Sequence, residues 1–136
     1  MRIFFWLVLL AVIGGLAWIR LAPSDPAVWH VDPKVTAAQD LAGGVRRRIP
    51  GDETTFEALH RIILETPRIE VLAGSPSEGR VTYITRSMWF GFPDYTTVQL
   101  EDDGLEIYGR LRFGQSDQGV NRARVEGWLD RIGAAD

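Results

Sequence analysis

From Ile3 to Ile19 the chain offers no polar side chain at all, and Arg2 and Arg20 close the run at its two ends. A helix through this stretch spans about 26 Å at 1.5 Å per residue, close to the ~30 Å hydrocarbon core of a bilayer once the arginines snorkel. Trp6 and Trp18 fall near its ends, where interfacial aromatics are favoured. A core helix would need a polar face for water, and this one has none. A cleaved signal peptide would need small residues at its end, where Ala17-Trp18-Ile19-Arg20 supplies bulk and charge. The expectation is therefore an uncleaved anchor over residues 1–20, with a signal peptide as the alternative. The short basic tail favours an amino terminus in the cytoplasm and a domain outside it.

About 110 residues remain for one modest domain. The formal net charge is −3, which argues against nucleic-acid binding driven by bulk charge. With no cysteine, disulfides, thiol catalysis and cysteine-based metal sites are excluded, and His30 and His60 alone exclude a histidine-rich one. No metal and no cofactor is expected.

Residues 21–51 read as a linker and irregular segment, opening on Leu21-Ala22-Pro23-Ser24-Asp25-Pro26 and carrying Trp29-His30-Val31-Asp32-Pro33. Only a short strand near Gly44–Arg48 is expected here. An extended backbone would put His30 and Asp32 on one face. Two readings stay open: an oriented imidazole for acid–base work, or Trp29 filling the core while His30 and Asp32 bond locally. Arg46-Arg47-Arg48 reads as a solvated or membrane-facing run, or as an anion site.

Residues 52–136 read as an α+β domain, with an antiparallel sheet of about four strands and two helices packed on one face. Thr54 and Glu57 form a capping-box signature for a helix over Thr55–Glu65, whose stripe is Phe56, Leu59, Ile62 and Ile63. Strands are expected at Arg68–Leu72, Arg80–Arg86, Thr96–Leu100 and Leu105–Phe113, with Asp103-Gly104 as a hairpin turn. Met88-Trp89-Phe90-Gly91-Phe92-Pro93 interrupts them; it would close the core, dip toward the bilayer, or receive a partner.

The polar groups converge on Leu105–Ile132. Leu105, Ile107, Leu111 and Phe113 alternate with Glu106, Tyr108, Arg110 and Arg112, predicting one core face and one solvated, locally basic face. Ser116 or Asp117 is a natural N-cap for the last helix. Asn121 falls on that helix's apolar stripe with Val125, Trp128, Leu129 and Ile132, and Arg122 flanks it. An anion or polar-ligand site at the helix start, charged by Arg110 or Arg112, competes with a structural clamp through Asn121.

The run Arg110 to Val125, with Pro67-Arg68 and Gly91-Phe92-Pro93-Asp94, resembles the family known as domain of unknown function 1499, over roughly Asp25 to Ile132. Trp29-His30-Val31-Asp32-Pro33 resembles its proteobacterial form. Members often carry Arg-Ser-Arg where this chain has Arg110-Leu111-Arg112. The resemblance implies a bacterial, membrane-associated or exported small domain, and hence an inner-membrane anchor with a periplasmic domain. It supplies no activity. The expected role is a non-enzymatic accessory or binding module that docks onto a membrane protein complex or takes a small anionic ligand. The candidate binding residues are Trp29, His30, Asp32, Arg110, Arg112, Ser116, Asp117, Asn121 and Arg122. The rival is a hydrolase-like enzyme built from His30, Asp32, Ser116 and Asp117.

Overall fold

Each extended segment of the chain finds its hydrogen-bonding partner by turning back antiparallel, in a computed structural model that describes residues 1–133. The last three residues of the segment read as 52–136 lie outside the described residues. The elements are helices α1 (Arg2–Leu21) and α2 (Pro26–Trp29), strands β1 (Gln39–Leu41) and β2 (Gly44–Ile49), and helix α3 (Glu53–Leu64). Strands β3 (Ile69–Ser75), β4 (Arg80–Arg86), β5 (Pro93–Glu101) and β6 (Gly104–Leu111) follow, then helix α4 (Val120–Arg131). The strands form a six-stranded sheet in the order β1-β2-β6-β5-β4-β3.

The α+β class and the antiparallel sheet stand; the strand count does not. The additional pair comes from β1 and β2, and β2 pairs along β6 from Gly44 with Arg110 to Ile49 with Leu105. On β2, Val45 and Ile49 join the core while Arg46 and Arg48 point to the other face, so the three consecutive arginines hide a period of two. Arg47, on the core face, reaches out to Asp40 at 2.7 Å and Glu126 at 2.9 Å.

Helices α3 and α4 cover one face of the sheet, and α2 is a further short helix. Phe56, Leu59 and Ile63 of α3 and Val125, Trp128 and Leu129 of α4 bury against Val45, Val81, Tyr83, Val98, Leu105 and Ile107. The capping box of α3 is Asp52 with Thr55, not Thr54 with Glu57: Asp52 accepts from the Thr55 amide at 3.1 Å, and Thr55 Oγ1 accepts from the Asp52 amide at 3.3 Å.

The other sheet face is not left to solvent. Residues 22–35 lie across it as a strap. Ser24 Oγ meets Tyr95 OH at 2.6 Å, Trp29 stacks on Tyr95 with ring centroids 4.0 Å apart, and His30 Nδ1 meets Thr82 Oγ1 at 2.9 Å. Arg112 donates to Pro23 O, Arg110 to Trp29 O and Arg48 to Val35 O, and Val35 is fully buried. The arginines of this face thus satisfy the carbonyls of a segment that has no ladder of its own. Trp29 packs on this face, away from the helix-covered core.

Both histidines sit where burial holds their pKa below the ordinary value, His30 in the strap against Thr82 and His60 against Tyr83 OH at 2.7 Å. A depressed histidine favours the fold above the unfolded pKa of about 6.5, and that contribution is lost as pH falls through the folded value. Chemical denaturation of the wild type should therefore show stability falling between about pH 7 and pH 5. A His30→Asn, His60→Gln double variant should show a shallower slope over the same window. An unchanged slope would refute the assignment.

Candidate functional site

Under the strap, β2 and β6 bring three aromatic or cationic side chains together through their register. Arg46 is the cross-strand partner of Tyr108, and Arg110 follows two residues later on the same face. The Arg46 guanidinium carbon lies 4.5 Å from the Tyr108 ring centroid and that of Arg110 4.9 Å from it, with Trp29 5.6 Å from Arg110. Such cation–aromatic contacts hold a guanidinium without neutralising it.

Arg110 is largely buried, yet its hydrogen bonds all go to neutral acceptors: Thr97 Oγ1 at 2.9 Å, Tyr108 O at 3.1 Å and Trp29 O at 2.8 Å. Burial lowers its pKa to about 10, a pull that Tyr108 and Tyr95 oppose. Arg46 Nε is buried with no hydrogen-bond partner among the described residues. Two open cavities meet at Tyr108, Arg110 and Val31. One, of about 530 Å³, is bounded also by Asp32, Pro33, Lys34 and Arg46; the other, of about 510 Å³, by Trp29, Leu41, Gly43 and Gln115 among others. Three cations and one carboxylate therefore line the first of them.

A second polar group lies on the helix side, at the start of α4. Asn121 is 0% exposed; its Nδ2 donates to Asp117 at 2.8 Å and to Asp94 at 3.3 Å, and its Oδ1 accepts from Arg124 at 3.0 Å. Asp117 also accepts from the Gly119 and Asn121 amides, so it caps α4 from two residues ahead of Gly119, the N-cap position. Burial raises the pKa of Asp94 against the pull of Arg124, and lowers that of Arg124. Gly109 leaves room for this cluster: a Cβ there would stand 3.2 Å from Asn121 Oδ1. Every polar atom of the Asn121 side chain is engaged, as a structural clamp between strand, turn and helix requires.

The remaining candidates disperse. Arg112 donates from Nη1 to Pro23 O and Tyr95 OH, and Arg122 pairs with exposed Asp40 at 3.4 Å. His30 bonds Thr82, Asp32 accepts from the Lys34 amide, and Ser116 Oγ accepts from the Gln118 amide. Among the described residues, no hydrogen bond joins His30, Asp32, Ser116 and Asp117 into a relay of the kind acid–base catalysis needs. Asp32 instead lies with Glu101 and Glu106, carboxylate oxygens within 4.8 Å of one another, and Arg48 pairs with Glu106 at 3.2 Å.

Sequence reasoning put Tyr108 and Arg110 on one face of their strand but missed Arg46 beside them and Lys34 on the wall of the same cavity. Their proximity depends on the β2–β6 register and the course of the strap, which only the fold supplies. The family model described as "Protein of unknown function (DUF1499)" matches residues 27–132, a span that takes in both clusters and most of the strap. No curated protein and no solved structure matches the chain.

Proposed function

Because the chain belongs to the DUF1499 family, which brings no activity with it, we propose its role from its own geometry: a membrane-anchored, non-enzymatic binding module for a small anionic ligand. Helix α1 is long and apolar enough to cross a membrane, and none of its residues is buried. It remains attached as a single-pass anchor in the bacterial inner membrane and carries the domain on the extracytoplasmic side, the periplasm. The ligand sits in the groove between strap and sheet, over Arg46, Tyr108, Arg110 and Lys34. The carrying observation is Arg110, a largely buried cation with no carboxylate partner among the described residues, beside an arginine whose Nε has no hydrogen-bond partner among them either. A planar guanidinium held in this way is suited to bidentate recognition of a carboxylate or an oxyanion. The dispersal of His30, Asp32, Ser116 and Asp117 favours binding over hydrolysis. The tether confines macromolecular partners to the membrane, where an integral membrane protein complex is the partner it suits.

Full-length protein in nanodiscs of zwitterionic lipid tests the ligand reading, by calorimetric titration with inorganic phosphate, sulfate and succinate. At least one should bind with a dissociation constant on the order of 1 mM or tighter. Arg46→Met, which keeps the packing on Tyr108, should weaken binding about tenfold, or 1.4 kcal/mol. Absence of heat from all three anions, or equal binding by the variant, would overturn the assignment.

A further inference from the structure

The carboxy-terminal end of α1 does not hang free of the domain. Arg86 Nη1 donates to Arg20 O at 3.0 Å, and the Trp18 ring meets Phe113 edge-on at 5.8 Å. Gly91, at φ +69°, lies so close that a Cβ on it would stand 2.8 Å from Arg20 Nη1. The loop between β4 and β5 is therefore seated against the last turn of α1. That loop presents Met88, Trp89 and Phe90 to the outside at 63%, 82% and 53% exposure. Three consecutive large apolar side chains left this open are a costly surface in water.

Beneath the loop lies a cavity of about 300 Å³ lined by Arg20, Arg68, Arg86, Ser87 and Glu70 among others. Three arginines and one glutamate line it, and Glu70 stands 3.9 Å from Arg86, too far for a hydrogen bond. Arg68 holds its place at φ +58°, a conformation unfavourable for a residue with a Cβ, and its Nε donates to Arg86 O.

Loop and cavity both adjoin the last turn of α1. If α1 crosses the bilayer, as the anchor reading on which this inference rests has it, then Trp18 and Arg20 mark the lipid–water interface. Whatever touches them lies there too. We propose that Met88, Trp89 and Phe90 insert into the interface, and that Arg20, Arg68 and Arg86 hold the phosphate of an anionic phospholipid. The apolar tip reaches the acyl boundary while the basic cavity meets the headgroup layer, as in interfacial anchors that combine the two. The lipid thereby fixes how the groove under the strap is presented above the membrane.

The chain has no cysteine, so one introduced thiol labels one place. Full-length protein bearing Trp89→Cys or Asp102→Cys, each with a nitroxide, is placed in nanodiscs of phosphatidylcholine and phosphatidylglycerol. The label at 89 should be shielded from a water-soluble nickel chelate and accessible to oxygen, while that at 102, in the exposed β5–β6 turn, should show the reverse. Equal exposure to the chelate would overturn the insertion. Native mass spectrometry of protein released from the same discs should show phosphatidylglycerol retained above its bulk fraction. Arg68→Gln should lower that enrichment about tenfold, and added inorganic phosphate should leave it unchanged. Retention at the bulk fraction, or displacement by phosphate, would overturn the lipid site. The same spectra give the intact mass of the chain. A product lacking α1 would defeat the anchor reading itself, whereas full-length protein without lipid enrichment defeats only the headgroup site.

Discussion

Replacing Asn121 by alanine should lower the stability of the folded domain by about 3 kcal/mol and its melting temperature by roughly 15 °C. The side chain is wholly inside, and it serves Asp94, Asp117 and Arg124 at once. Truncation leaves the Arg124 donor without Oδ1 and takes the Nδ2 donor from both carboxylates, in a place where burial already opposes the charged forms of Asp94 and Arg124. Each deserted group costs on the order of 1 kcal/mol or more. An Asn121→Asp variant separates lost bonds from lost volume. It keeps an acceptor for Arg124 and adds a third carboxylate beside Asp94 and Asp117. The folded pKa values of the introduced carboxylate and of Asp94, which burial already raises, then lie above their unfolded values. Stability is therefore greatest below the unfolded pKa and is lost as pH rises through the folded ones. Relative to the wild type at the same pH, denaturation should find this variant's loss larger at pH 7 than at pH 4.5. A loss independent of pH would mean that volume, not charge, governs the site.

The parts of the fold that were legible in the sequence are those with a period. The stripe Phe56, Leu59 and Ile63 buries as the spacing predicts, and β4 runs from Arg80 to Arg86 as read. The turn between β5 and β6 lies at Asp102–Asp103, with Gly104 already paired to Glu101. What stayed hidden lacked either period or local partners. Three consecutive arginines conceal the alternation of β2, and the strap has no ladder to impose one. Its bonds cross from His30 to Thr82 and from Trp29 to Arg110, partners 52 and 81 residues away. The same holds for the candidate site. Arg110 stood out as a cation opposite an apolar face, but its neighbour Arg46 becomes visible only once β2 is registered on β6.

The strap also explains why one glycine should matter more than its conformation alone suggests. Gly74 of β3 sits just past the irregularity between Val71 and Ala73, paired to Val81, at φ +87°. A Cβ there would lie 2.0 Å from Arg80 O and 2.8 Å from His30 Cε1. Gly74→Ala should therefore cost about 4 kcal/mol, at the severe end of single substitutions. Of this, about 1 kcal/mol reflects an L residue in the left-handed region. The rest comes from pushing β3 off β4 and lifting His30 from Thr82. Gly79→Ala supplies the comparison, since Gly79 has φ +84° but nothing within 4 Å of the added Cβ. It should lose only the conformational share, about 1 kcal/mol. The two variants thus share backbone strain and differ in the clash. Only Gly74→Ala should speed amide exchange across residues 26–35, because only there does the new methyl displace the histidine that holds the strap down. Equal losses in the two variants, or a strap equally protected in both, would mean that His30 does not couple the sheet edge to the groove.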